Sequence, residues 1–290
     1  MLLSTIMRYP SLFIFSFILL LAGCKQTEIV PNRNRSLISE NEHLTLGNPS
    51  NATPDINNYK NYLVEKPQYV LSYSRDSSIP NWVSWHVSSD WLGSAPRQDD
   101  FKADESLPED WYRVSPANYT NSGFDRGHNC PSADRTKSQK DNSATFLMTN
   151  MIPQAPDNNR ETWANLEEYT RSLVDQGQEV YVIMGNYGSG GTGSNGFART
   201  INGGKIRVPK QIWKVLVILP EGDDDLNRIS VNTRVIAIDT PNSNGVNPDW
   251  SLYRTTVDAI EKATGYDLLS SLPEDIQQVL EATVDNGPTQ

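Results

Sequence analysis

One short stretch of this chain sets three chemically useful residues side by side. It reads Gly123-Phe124-Asp125-Arg126-Gly127-His128-Asn129-Cys130-Pro131. A histidine with an unperturbed pKa near 6.5 can take a proton from water at neutral pH. Arg126 offers a fork of donors suited to a phosphate. Gly127 lets the backbone turn sharply or approach a ligand closely. Taken alone, the run fits a structural turn with a salt bridge as well as it fits an active site.

A second segment adds the missing donors. Asn159, Trp163, Glu167 and Arg171 are spaced by four. On a helix each such step drifts by only about 40°, so the four form one slowly turning stripe. An amide, a carboxylate and a cation share that stripe with an aromatic. An amphipathic helix with an ordinary Glu167–Arg171 pair would account for the charges. It would not account for their company with the histidine segment. Gly191-Thr192-Gly193-Ser194-Asn195-Gly196 matches a G-x-G-x-x-G pattern. A dinucleotide site needs a helix directly after it. Loop and strand residues follow instead, so this stretch reads as a flexible surface loop.

Together these segments resemble the DNA/RNA non-specific endonuclease family, whose members carry a ββα-metal finger and include relatives of endonuclease G. The tetrad Asp125-Arg126-Gly127-His128 resembles the family signature. Asn159, Trp163 and Glu167 resemble its metal-binding helix, with Arg171 at the next matching position. Trp91-Leu92-Gly93, Arg97 and Asp99-Asp100-Phe101 resemble the segment with a phosphate-binding arginine. Asn150-Met151-Ile152-Pro153-Gln154 also fits, as does the stretch from Val208-Pro209 to Trp213-Lys214. The similarity spans roughly residues 60–265. Arg160-Glu161 departs from the Gln-Gly that relatives often carry, which alters local charge.

The resemblance implies roles. His128 is the general base that activates water for in-line attack on phosphorus. Asn159 is the one direct protein ligand of a divalent ion, Mg2+ with Mn2+ as an alternative, because magnesium keeps its waters and needs few protein oxygens. Glu167 orients those waters. Arg97, Arg126 and Arg171 bind or polarise phosphate, and Asp125 braces the finger. The substrates are DNA and RNA, bound through the backbone with little sequence preference. A catalytically inactive nucleic-acid-binding envelope lipoprotein and a narrow phosphodiesterase are the rival readings. The intact histidine, asparagine and glutamate argue against the first.

The elements that must position these residues follow from periodicity. Residues 68–73 read as a strand. Residues 82–88 read as a half-buried one, with Val83, Trp85 and Val87 on the apolar face and His86 exposed on the other. Further strands are expected near 178–184, 205–208, 213–219 and 230–239. A helix is expected over 158–176, started by Pro156-Asp157-Asn158 and stopped by Gly177. Two more fall near 252–264 and 273–284. The fold class is α+β, a ββα-metal finger with a central antiparallel-rich sheet flanked by helices.

The ends bound the setting. Arg8 precedes an apolar run from Leu12 to Ala22 that is too short to span a bilayer comfortably and ends in Leu21-Ala22-Gly23-Cys24. This resembles a bacterial lipobox with Cys24 as the lipidated residue. The expected order is a signal peptide at 1–23, a polar tether at 24–58, the nuclease domain at 59–270 and a tail at 271–290. That order implies an envelope lipoprotein, anchored to the outer membrane through lipid on Cys24, with secretion as the alternative. Cys130 is expected as a packed thiol. Three histidines and two cysteines are too few for a zinc cluster. The net charge of −10 argues against a nucleic-acid partner, but its distribution does not. Residues 215–290 hold 4 basic and 13 acidic residues, whereas residues 97–214 hold 14 and 15. The central stretch can still present a basic face. An inhibitor and the oligomeric state leave no mark in the sequence.

Overall fold

A computed structural model describes residues 41–290. The leader, Cys24 and the tether as far as residue 40 lie outside the described residues. The strands in chain order are β1 (Tyr62–Lys66), β2 (Tyr69–Ser74), β3 (Ile79–Val87), β4 (Asp125–His128), β5 (Met151–Gln154), β6 (Gln178–Tyr187), β7 (Gly191–Gly193), β8 (Gly196–Ala198), β9 (Thr200–Ile201), β10 (Ile206–Arg207), β11 (Gln211–Pro220), β12 (Arg234–Pro241) and β13 (Arg254–Thr255). The helices are α1 (Gln139–Ala144), α2 (Ala164–Asp175), α3 (Asp225–Arg228), α4 (Val257–Thr264) and α5 (Glu274–Ala282). Seven strands form one sheet in the order β1-β2-β3-β6-β11-β12-β13, with every neighbouring pair antiparallel. The α+β class with an antiparallel sheet is therefore the observed architecture.

The sheet is covered on both faces, which its alternation dictates. In β11, Ile212, Leu216 and Ile218 join one core, while Trp213, Val215, Val217 and Leu219 join the other. β6 divides likewise, with Val180, Val182 and Met184 against Tyr181 and Ile183. The first core lies under the finger and α2. The second is closed by α4, α5 and the segment before β1.

This second layer corrects three expectations. Residues 41–58, expected in the tether, pack onto the sheet: Leu44, Leu46 and Ala52 are buried in the second core. The expected tail contributes Leu280 from α5 to the same core, and its Asp285 pairs with Arg234 and Arg254. His86, expected exposed, is buried, because the face opposite Val83, Trp85 and Val87 is not solvated. Its Nε2 lies 3.1 Å from Glu179 Oε2. The expected helix near 252–264 is helical only from Val257, with the Trp250–Tyr253 3₁₀ turn and β13 before it. Arg254 and Thr255 instead pair with Ile238 and Ala237 of β12, and Thr256 caps α4 by accepting from the Ala259 N–H.

Candidate active site

The finger is built from β4, β5 and the helix that follows. β4 and β5 pair antiparallel, with Asp125 opposite Gln154, Gly127 opposite Ile152 and His128 opposite Met151. Gly127 is required by close approach. A Cβ there would lie 2.1 Å from Gln154 Oε1 and 2.5 Å from Gln154 Cβ. Gln154 in turn donates from Nε2 to Asn158 Oδ1 at 2.6 Å, locking the second strand to the start of the helix.

That helix does not begin as an ordinary α-helix. Asn158–Trp163 forms a π-helical turn before α2. Such turns recur at functional sites because they redirect side chains within a helix. Here Trp163 is buried in the first core while Asn159, four residues earlier, faces β4. The expected stripe is thereby split into a buried aromatic and a site-facing amide.

Asp125 is the brace between strand and helix. Its Oδ2 accepts from Asn159 Nδ2 at 2.9 Å. Arg160 grips both of its oxygens, at 2.8 and 2.7 Å. The departure Arg160-Glu161 noted in the sequence thus has a structural job. With its nitrogen committed, the Asn159 amide presents Oδ1, which has no hydrogen-bond partner among the described residues.

His128 is held between aromatic rings. Phe146 meets it edge-on at 5.0 Å and Phe101 is tilted at 5.5 Å between centroids. Its Nε2 is shielded from solvent and has no hydrogen-bond partner among the described residues. Burial, then the charges of Arg97 and Arg126, push His128 down to about 3. The imidazole is therefore neutral, with a free acceptor nitrogen, across the whole physiological range.

The three expected phosphate-binding arginines are not equivalent. The Arg126 guanidinium lies 4.2 Å above the Phe101 ring and makes no hydrogen bond or ion pair among the described residues. Arg97 is half exposed, lies over Phe146, and donates to Asp99 and Ser132. Arg171 is mostly buried, and its Nη1 is committed to buried Asp134 at 3.0 Å. Asp134 also accepts from Trp85 Nε1 at 3.0 Å.

Glu167 takes Lys214, not Arg171, as its partner. Lys214 Nζ donates to Glu167 Oε1 at 3.2 Å and lies 5.0 and 5.6 Å from the ring centroids of Trp163 and Trp85. Burial raises the Glu167 pKa, Lys214 lowers it, and Asp134 raises it again. Neither Lys214 nor Asp134 had an expected role. Lys214 left one trace in the sequence, a lone charge inside Ile212-Trp213-Lys214-Val215-Leu216, where an unpaired lysine is rarely buried. Cys130 is a fully buried free thiol, as expected, pushed up to about 12 by burial. The expected flexible loop at 191–196 is a β7–β8 hairpin, pinned to the segment before the finger. Ser194 N–H donates to the Gly123 carbonyl at 2.8 Å and Asn195 Nδ2 to the Asn121 carbonyl at 2.9 Å.

Comparison with known proteins agrees with this geometry. The DNA/RNA non-specific endonuclease family model matches residues 46–275. A nuclease of Nostoc sp. is 48% identical over 272 residues, covering 93% of this chain and 96% of the relative. Nuclease C1 of Cunninghamella echinulata is 32% identical over 72% of this chain and 83% of its own length. Human mitochondrial endonuclease G is 33% identical over 70% and 68%. A crystal structure of an EndoG/EndoGI complex superposes with a TM-score of 0.64 at 26% identity, over 80% of this chain and 91% of that one. The fold is that of a ββα-metal nuclease, and the chain belongs to the DNA/RNA non-specific endonuclease family.

Proposed function

We propose that this nuclease is a magnesium-dependent endonuclease, with Mn2+ as an alternative ion, that hydrolyses DNA and RNA backbones with little sequence preference. One observation carries the reading. Asn159 has its amide nitrogen tied to Asp125 and its oxygen unpartnered, on the helix of the same finger that holds His128 with an unpartnered Nε2. A single hard oxygen donor suits magnesium, which keeps several of its waters. Glu167, about two turns further along the same helix, would hydrogen-bond those waters. A divalent ion held at Asn159 would stabilise negative charge on the transition state and on the leaving 3′ oxygen.

The chain's own groups do the rest. His128 takes the proton of the attacking water. Arg126 and Arg97 bind the phosphate oxygens, and guanidinium forks on phosphate carry no sequence information. Asp125 and Arg160 hold Asn159 in place. Attachment to the cell envelope through lipid on Cys24 belongs to the same proposal, supported by Leu21-Ala22-Gly23-Cys24. Cys24→Ser should abolish lipid labelling, and a mature protein starting elsewhere without lipid would remove that part.

The test is a magnesium titration of nuclease activity on plasmid and RNA, with folding checked by circular dichroism. His128→Ala should slow the reaction by roughly a hundredfold to ten-thousandfold with magnesium affinity nearly intact. Asn159→Ala should weaken magnesium binding and recover part of its rate at high magnesium. Rescue of His128→Ala but not of Asn159→Ala would reverse the roles. Full activity in both would reject the site, and wild-type binding without cleavage would favour a catalytically inactive binder.

A further inference from the structure

Among the described residues, charge compensation is complete at most buried acids and fails at one. Asp285 is gripped by Arg234 Nε at 2.8 Å and Arg254 Nη2 at 2.9 Å. Asp104 has Lys66 at 2.9 Å. The His86, Glu179 and Asp225 group has donor types and spacing suited to a metal, but it already contains a cation, because Arg228 is hydrogen-bonded to Glu179 and to Asp225.

Glu281 has nothing of the kind. It lies on α5, is 7% exposed, and its Oε1 is buried with no hydrogen-bond partner among the described residues. Its neighbours are Asp258 and Glu261 of α4, and one carboxylate oxygen from each of the three lies within 4.8 Å of the others. Glu261 spends Oε1 on the Leu268 backbone N–H at 2.7 Å. Burial, then the negative charges of Glu261, Asp267 and Asp258, push Glu281 up to about 7. A buried ionised carboxylate among like charges is costly unless it is protonated or shares a cation.

We propose that Asp258, Glu261 and Glu281 form a calcium site that fastens α5 to α4. The donor set is oxygen only, which selects a hard cation over zinc or copper. Three carboxylates can supply up to six oxygens in irregular geometry, which calcium accepts and magnesium, with its strict octahedron and tightly held waters, does not. Asp258 is exposed, so the cluster opens to solvent and an ion can enter. The site is separate from the catalytic finger. Glu281 also lies beyond residue 275, where the family match ends, so the site would be a feature of this chain's C-terminal helix. Calcium there replaces mutual repulsion with a shared positive charge, and it stabilises the second core that α4 and α5 cover.

The experiment measures Tm of the protein near pH 7.5 with chelator, with calcium and with magnesium. It is run in an Asn159→Ala background so that ion binding at the finger is suppressed. A site of the weak extracellular class, with Kd on the order of 10⁻⁴–10⁻³ M, should raise Tm by about 3–10 °C at about 10 mM calcium. Magnesium should give a much smaller shift. Glu281→Gln should leave the chelated protein as stable or more stable, because it removes an uncompensated charge, and should abolish the calcium shift. Asp258→Asn should reduce that shift. A calcium shift that survives in Glu281→Gln would overturn the assignment. So would equal shifts from calcium and magnesium, or stabilisation obtained only by lowering the pH, which would mean that the cluster holds a proton instead.

Discussion

Asn159 Nδ2 donates to Asp125 Oδ2 at 2.9 Å, across the junction between the first finger strand and the helix. The bond fixes the orientation of the amide and therefore which of its atoms faces the site. Asp125 is itself held by Arg160 through both oxygens. Asp125→Ala should free the amide to rotate and weaken magnesium affinity by about 10–100-fold, the usual cost of losing a group that orients a ligand. Excess magnesium should restore part of the rate. Arg160→Ala should produce a milder version of the same defect, because the Asn159 bond survives. Unchanged magnesium dependence in Asp125→Ala would mean that the amide is oriented by something else.

How much of this was legible beforehand differs by layer. Local signals sufficed for the junction of the finger: Asp125 of the tetrad and Asn159 of the second segment meet through a hydrogen bond. The partners of the charged groups were not legible. Glu167 and Arg171 sit four apart and read as a pair, yet Glu167 takes Lys214 and Arg171 takes Asp134. Those partners come from β11 and from the loop after β4, and no periodicity reports a contact so distant in sequence. His86 was misread because alternation in β3 shows which residues share a face, not whether that face is covered. Its cover comes from the segment before β1, where Glu42 lies 3.5 Å from the His86 ring and His43 accepts from the His86 backbone N–H, and from Tyr181 of β6 stacked on it. The Asn-, Ser- and Pro-rich composition near residues 48–58 resembles a tether even where its few apolar residues are anchored.

Lys214 and Glu167 give a stability prediction. Lys214 is 1% exposed and its partner Glu167 remains partly accessible. Lys214→Met keeps the length but leaves the carboxylate without its cation. Losing one member of a buried pair typically costs 3–5 kcal/mol, so the accessible carboxylate puts the expected loss near the lower end, about 3 kcal/mol. The Glu167 pKa, already raised by burial, should rise further. The acid limb of activity should then move to higher pH. The double variant Lys214→Met, Glu167→Gln should recover much of the lost stability. Urea unfolding of wild type, Lys214→Met, Glu167→Gln and the double variant checks this, and strict additivity would show that the two groups do not interact.

The arginines divide by what already holds them. Arg126 has no polar partner among the described residues, and Arg97 has only exposed Asp99 and a hydroxyl as partners. Each should release about one counterion on meeting a phosphate. Replacing either by alanine in a His128→Ala background should lower the slope of log K against log salt by about 0.9 for duplex DNA. Arg171 is tied to buried Asp134. Arg171→Ala should therefore lower Tm while leaving the salt slope nearly unchanged. A slope change for Arg171→Ala as large as that for Arg126→Ala would restore it as a phosphate ligand.

The pH profile should reveal how substrate switches on the base. A histidine at its ordinary pKa would lose activity below about pH 6, but His128 is pushed down to about 3 by burial, then by Arg97 and Arg126. A base must be neutral, and its neutral fraction falls as pH drops through its pKa. In the free protein that drop lies far below pH 6. Once a phosphate sits on the arginines, its negative charge offsets theirs and the His128 pKa rises. The nitrogen becomes a stronger base just when a water must be deprotonated. Because kcat/KM reports the free enzyme and kcat the complex, the acid limb of kcat should lie at higher pH than that of kcat/KM. Arg97→Ala removes one of the depressing charges, so it should move the kcat/KM limb upward. Stability gives an independent check. A histidine whose pKa is lowered on folding contributes stability that is present above about 6.5 and is lost as pH falls toward 3. The Tm difference between wild type and His128→Ala should therefore shrink over that window, and coincident acid limbs for kcat and kcat/KM would show that phosphate does not retune the base.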